Sequence, residues 1–174
     1  MRNLIYTASV LLMLICCWTI RADTTNAPLT FYTVSEQRID GGRFIDTAAI
    51  PKAGYIAAKP DLTVTTLRDV YPQESAGFSI MTDTNGNHTV VTNTAVPALA
   101  VVLSPEDAKR FAALTERAVG KRLLVMLGDK PLTAPVVRSP IEAGTMVIEF
   151  GREFGGQAEA KKVEDDLKKL IRKQ

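Results

Sequence analysis

Few residues of this chain have the types and spacing that enzymatic chemistry requires. His88 is the only histidine, and both cysteines, Cys16 and Cys17, lie within the first 20 residues. A metal site built on two histidines is therefore impossible, and the chain beyond residue 22 has no thiol nucleophile. A general base needs positioned partners, whereas His88 follows Asn87 in a stretch typical of a solvated turn. With neither a G-x-S-x-G elbow nor a phosphate-binding loop, the sequence predicts no enzyme and no catalytic residues.

Asp83, Asn85 and Asn87 alternate as oxygen ligands do in a calcium-binding loop. Such a loop requires glycine at its sixth position and glutamate at its twelfth, whereas this stretch has Gly86 fourth and Thr94 twelfth. Asn85 followed by Gly86 suits the two central positions of a tight hairpin turn, because both residues tolerate a positive φ. The pattern therefore predicts a turn between two strands, with no metal and no other cofactor.

The first 22 residues have the composition of a secretory signal. Arg2 provides a basic start, residues 4–20 carry no charge and are mostly apolar, and Ala22 is a small residue at the exit of the run. Cleavage after Ala22 is one interpretation. An uncleaved membrane anchor is a second, since this run is at the short limit for a membrane span, and lipid modification at Cys16 or Cys17 is a third.

The segment predicts an exported protein, either periplasmic or membrane-anchored and facing the periplasm. Membrane contact is expected only where the segment is retained or lipidated. Residues 1–22 contain two of the 21 basic residues and none of the 19 acidic ones, so the remaining chain has 19 of each sign. Because attraction to phosphates dominates non-specific nucleic acid binding, a neutral chain predicts no nucleic acid partner. Without cysteines beyond residue 22, the fold must rely on its hydrophobic core.

Hydrophobic periodicity and turn residues predict strands and two helices. The first helix begins at Ser104, whose hydroxyl can cap free amides, continues through Pro105 and two acids, and ends at Gly120. From residue 98 the predicted elements follow in the order strand, helix, three strands, helix. This order predicts an α+β fold of the ferredoxin-like class, a two-layer sandwich in which an antiparallel sheet carries two helices on one face. The predicted strands are residues 31–36, 54–58, 78–82, 89–93, 98–103, 123–127, 132–138 and 145–150, and the second helix is residues 157–172.

Residues 103–150 combine several motifs in a fixed order. The first helix carries Phe111, Leu114 and Thr115 and ends in Gly120-Lys121, and after a strand and a tight turn come Ala134-Pro135 and an Ile-x-x-Gly turn at residues 141–144. In this order the segment resembles the head subdomain of the first periplasmic domain of the protein-export factor SecD. With flanking pieces, the resemblance covers about residues 76–172.

The resemblance implies a shared fold and a surface that handles polypeptides. Two departures limit it. The family usually turns through Asp-Gly, whereas this chain has Gly128-Asp129, and no transmembrane bundle follows residue 20. The expected organisation is a signal segment at 1–22, an N-terminal extension with short strands at 23–75, and a SecD-head-like domain at 76–174.

Apolar residues on both sides of the predicted strands indicate that the sheet face away from the helices is also covered. Leu124, Met126 and Val147 lie on that face and are the candidate partner-binding residues. The cover is either residues 31–75 or a partner. The expected function is a non-catalytic module of the envelope that binds polypeptide or assists export. The alternative is a structural or assembly module that dimerises or docks on a membrane complex.

Overall fold

The protein is described by a computed structural model over residues 27–47, 50–82, 88–151 and 156–171, with only the backbone described for residues 76–82 and 88–94. The expected signal segment and the predicted turn at residues 83–87 lie outside the described residues. The strands are β1 (Leu29–Thr33), β2 (Arg43–Ile45), β3 (Gly54–Ile56), β4 (Leu62–Val64), β5 (Leu67–Thr82), β6 (His88–Leu103), β7 (Leu123–Leu127), β8 (Lys130–Thr133) and β9 (Thr145–Glu149), and the helices are α1 (Pro105–Arg117) and α2 (Gly156–Lys168).

The strands form antiparallel sheets, which confirms the predicted α+β fold. One sheet has the order β4-β1-β7-β8 and another the order β5-β6-β9, while β2 and β3 form a two-stranded ribbon. The sequence predicted one sheet, whereas the described strands divide into these two sheets and the β2–β3 ribbon. The boundary expected between residues 75 and 76 falls inside β5, and β1 lies between β4 and β7.

Local signals at the start of α1 act as the sequence predicts. The Ser104 hydroxyl accepts a hydrogen bond from the Asp107 amide at 3.2 Å, and Pro105 occupies the first turn. This confirms the cap.

The strand predicted at residues 132–138 ends earlier, at Thr133, because Pro135 has no N–H to continue the ladder. His88 was expected in a turn, but it is the first residue of β6, and its backbone pairs with that of Thr82.

One cluster of buried residues joins the two sheets and both helices. Phe31 of β1 packs on Phe111 of α1 with ring centroids 5.0 Å apart, and α2 adds Val163 and Leu167 to the same cluster. Tilted aromatic pairs at this distance contribute about 0.5–1.5 kcal/mol beyond the area that they bury. Residues from both halves of the chain therefore share one core.

A second apolar cluster lies on the other face of the four-stranded sheet. It contains Leu124 and Met126 of β7 together with Ile45 and Ile56 of the β2–β3 ribbon and Ile50 between them. All five residues of β7 are buried, which explains why the strand is apolar at every position. The segment 31–75, considered above as a cover for apolar sheet surface, supplies this cover.

Candidate functional site

The motif residues behind the resemblance hold α1 against the turn at residues 141–144. Thr115 is fully buried, and its Oγ1 accepts a hydrogen bond from the Ile141 amide at 2.9 Å while lying 3.0 Å from the Phe111 carbonyl oxygen. Gly144 has φ +64°, and a Cβ there would lie 2.4 Å from the Cβ of Ala108. These contacts give both motifs a role in the fold, since neither places a reactive group at the surface.

The three candidate partner-binding residues do not lie on one surface. Leu124 and Met126 are 0% and 2% exposed beneath the β2–β3 ribbon. Val147 is 47% exposed on the outward face of the three-stranded sheet, where the cross-strand register aligns it with Ala100 and with Tyr71, which is 45% exposed. The described structure therefore leaves Val147 and Tyr71 available to a partner and covers the other two.

The β2–β3 ribbon is fixed to the start of β7 by one arginine. The Nε of Arg122 donates to the Ala134 carbonyl oxygen at 3.1 Å, and its Nη1 lies 3.3 Å and 3.4 Å from the carbonyl oxygens of Lys52 and Ala53. The backbones of Ser35 and Tyr55 also exchange two hydrogen bonds of 2.8 Å. Charge-assisted donation to carbonyl oxygens is stronger than a neutral hydrogen bond, so these contacts help to hold the cover over Leu124.

A cleft of about 810 Å³ lies between α2 and the long β5–β6 hairpin. We call it the α2 cleft. Its volume is in the range of ligand-binding clefts. Pro72, Ala95 and Pro97 contribute to its apolar wall on the hairpin, and Ala158 and Lys161 lie on the helix side. Sequence reasoning missed this site, because its hairpin and helix walls are at least 58 residues apart in the chain and no local pattern marks them.

The charges at the α2 cleft are largely paired with one another. The Glu164 side chain is nearly buried and contacts the Nζ atoms of Lys168 and Lys161. The hydrogen bond from Lys168 is the main reason that the pKa of the Glu164 carboxyl is below its usual value, and Lys161 adds to the effect. Hydrogen bonds to Asp165 and Glu164 likewise raise the pKa of Lys161. Glu164 therefore remains a paired carboxylate at neutral pH and is a poor proton donor.

Within the described ranges, no three His, Cys, Asp or Glu side chains are grouped closely enough to hold a metal ion. No helix in that part of the chain is long and apolar enough to cross a membrane. The α2 cleft is lined by apolar side chains together with Glu74, Lys161 and Glu164.

Comparison with known proteins relates part of the chain to a known subdomain. Residues 80–164 match the family model described as SecDF, P1 head subdomain. The protein translocase subunit SecDF of Thermus thermophilus is 42% identical over 53 residues, which are 30% of this chain and 7% of that protein. Subunit SecD of Dictyoglomus turgidum is also 42% identical, over 52 residues that are 30% of this chain and 13% of that one. The matches thus span a small part of the relatives' length.

Solved structures extend the likeness in fold. A structure of SecDF, described as a membrane component that enhances protein export, superposes with a TM-score of 0.54 at 24% identity, covering 84% of this chain and 64% of that one. SecDF in its super-membrane-facing form gives a TM-score of 0.51 at 24% identity over 83% of this chain and 18% of that one. The likeness in fold therefore extends beyond residues 80–164, and these residues are similar to the P1 head subdomain of SecDF.

Proposed function

We propose that this protein is an exported, non-catalytic module that binds polypeptide in the cell envelope and assists protein export. The observation that carries the proposal is the position of the family match. Residues 80–164 include Ala95 and Pro97 on one wall of the α2 cleft and Ala158 on the other. The part of the chain that resembles an export factor is thus the part that forms most of an open cleft.

The chemistry of the α2 cleft favours a polypeptide over a charged small molecule. Its alanine and proline surfaces offer apolar contacts, and the nearby Glu164 is already paired with two lysines. A small anion or cation bound there must compete with these ion pairs. An uncharged stretch of unfolded chain does not compete with these ion pairs and gains van der Waals contact with the alanine and proline surfaces, which matches the task of an export accessory.

Binding of a permanently unfolded protein tests the proposal. Fluorescently labelled, reduced and carboxymethylated α-lactalbumin is titrated with the purified protein, and native α-lactalbumin serves as the folded control. We expect binding of the unfolded probe only. Ala158→Trp fills the α2 cleft and should weaken binding about tenfold, whereas Lys162→Trp, at an exposed position of α2 outside the cleft, should not. Absence of binding to the unfolded probe refutes the proposed function.

The alternative, a module that docks on a partner or on itself, is favoured by a different surface. Tyr71 and Val147 are exposed on either side of the buried Ala100, and the two side chains form a small apolar patch on the outward face of the three-stranded sheet. Sedimentation velocity of the wild type and of the double variant Tyr71→Ser, Val147→Thr distinguishes the two functions. A dimer that the double variant abolishes supports the alternative.

A further inference from the structure

Among the residues that the structure describes, nothing pairs with one edge of the β5–β6 hairpin over a long stretch of backbone. β9 pairs with β6 only between Ala98 and Val102, and the Phe150 amide adds one hydrogen bond to the Pro97 carbonyl oxygen. In the part of the chain that the structure describes, no strand pairs with this edge of β6 over residues 88–96. A strand edge with unpaired N–H and C=O groups is a template for another extended chain.

The hydrogen bond at Pro97 fixes which backbone groups face this free edge. The Pro97 carbonyl oxygen points towards β9, because it accepts from Phe150. Backbone groups of alternate residues in a strand point the same way, so the N–H and C=O of Ala95 also point to the β9 side. Ala76, the cross-strand partner of Ala95, correspondingly points its groups away from β6, to the outer edge of β5.

The outer edge of β5 is protected only over its first half. There β5 carries Pro72 at an outward-facing position and the exposed charges of Arg68, Asp69 and Glu74, and proline and charges are the devices that prevent strand pairing at an edge. Residues 88–96 of β6 and the β5 residues opposite them, 75–82, contain no proline, Lys, Arg, Asp or Glu. Of these two edges, that of β6 adjoins Phe150 at the end of β9, so a strand added there extends an existing pairing.

We propose that this protein binds an extended, uncharged polypeptide segment as an added β-strand along residues 88–96 of β6. The proposal rests on the proposed function and gives its binding mode. The added strand continues the line of β9 past Phe150. Alternate side chains of the segment face the α2 cleft, whose nearby surfaces are Ala95, Pro97 and Ala158, so small or β-branched uncharged side chains fit. Main-chain hydrogen bonds supply the affinity, which allows many sequences to bind.

Proline substitutions on the two edges test the binding mode. Ala95→Pro removes a donor from the free edge of β6 without removing a hydrogen bond between β5 and β6. Ala76→Pro is the matched control, since it makes the same change on the outer edge of β5. The probe is a labelled peptide of alternating threonine and valine, measured by fluorescence anisotropy with the full chain. Circular dichroism establishes that both variants are folded.

We expect Ala95→Pro to weaken binding about fivefold to tenfold, the effect of one to two backbone hydrogen bonds, and Ala76→Pro to leave it unchanged. A second measurement is independent of any variant. The same peptide with alternate amides N-methylated should bind the wild type at least about tenfold more weakly, because it has lost the donors for one edge.

Other outcomes overturn the binding mode. If the peptide and its N-methylated form bind equally, or if both proline variants bind like the wild type, no strand is added at this edge. Binding of unfolded α-lactalbumin under those conditions leaves the proposed function intact. If Ala95→Pro instead abolishes a concentration-dependent dimer while peptide binding persists, the edge pairs with a second copy of the chain and the proposal is wrong.

Discussion

The hydroxyl of Thr115 joins α1 to the turn at residues 141–144, and its removal tests whether the family motif acts through this bond. Thr115→Val keeps the size and branching of the side chain but removes the acceptor of the Ile141 amide. It also removes the hydroxyl proton, which can be donated to the carbonyl oxygen of Phe111 or of Ala112, each 3.0 Å away. Thr115→Ser is the matched control, because it keeps the oxygen and loses only a buried methyl group.

The magnitude follows from the burial of the site. Thr115 is fully buried, and a donor left unsatisfied in such a place costs about 1–3 kcal/mol. The serine control loses one methyl group, about 0.8 kcal/mol. For a domain of about 150 residues, each kcal/mol lowers Tm by about 2–4 °C. We therefore expect Thr115→Val to be less stable than the wild type by about 2–12 °C, and Thr115→Ser to lie closer to the wild type.

Urea denaturation followed by circular dichroism measures the free energy of unfolding of the three proteins, and hydrogen exchange reports on the Ile141 amide. In Thr115→Val this amide should exchange faster than its neighbours in the same turn. In Thr115→Ser its protection should follow the global stability. A valine variant with the midpoint, the slope and the Ile141 protection of the wild type shows that the hydrogen bond does not link helix and turn, and the reasoning is then wrong.

Four further predictions concern separate parts of the chain. Ser104→Ala should lower the free energy of unfolding by about 0.5–2 kcal/mol in urea denaturation, since the hydroxyl caps α1; an unchanged midpoint contradicts the cap. Gly144→Ala should destabilise more than Gly120→Ala in the same assay, because both have positive φ but only the first places its Cβ against α1; equal losses contradict the close approach. The depressed pKa of Glu164 predicts that its ion pairs stabilise the fold above the usual glutamate pKa of about 4.3 and lose this effect as pH falls through the lower folded-state pKa; Glu164→Gln should therefore flatten the acid limb of stability against pH, and an unchanged limb contradicts it. Intact mass of the protein purified from the envelope should correspond to a chain that starts at Asp23, whereas retained residues 1–22 or added acyl mass contradict cleavage after Ala22.

Much of α1 could be predicted from the sequence, because its signals are local. A capping serine, a proline in the first turn and a terminal glycine act within a few residues of one another, and the helix observed, Pro105–Arg117, begins where they place it. The order of strands and helices along the chain after residue 98 could be predicted from hydrophobic runs for the same reason. Thr115 and Ile141, which the structure joins by a hydrogen bond, belong to motifs that occur in a fixed order along the chain. A resemblance could therefore be identified without a structure.

The lengths of β5 and β6 could not be predicted, because prolines and charges interrupt their patterns. Pro72, Glu74 and Pro97 each favour a break in a strand, and the sequence accordingly predicted short pieces. In the structure, the backbone groups of all three residues face away from the ladder between β5 and β6. A missing N–H at such a position removes no hydrogen bond between the two strands, so both extend to 16 residues. The direction in which a backbone group points depends on pairing between residues far apart in the chain.

The sequence by itself determined the lack of a second histidine, the lack of thiols beyond residue 22 and the apolar character of β7 on both faces. Only the tertiary structure decided what covers each face. Alternation along a strand tells which side chains share a side, and it grouped Leu124 with Met126 correctly. It does not tell what packs there, because the β2–β3 ribbon that buries them comes from residues about 70 to 80 positions earlier, while Val147 on another sheet remains exposed. Contacts between distant segments contribute nothing to local periodicity, and therefore the division between buried core and available surface was fixed only by the folded chain.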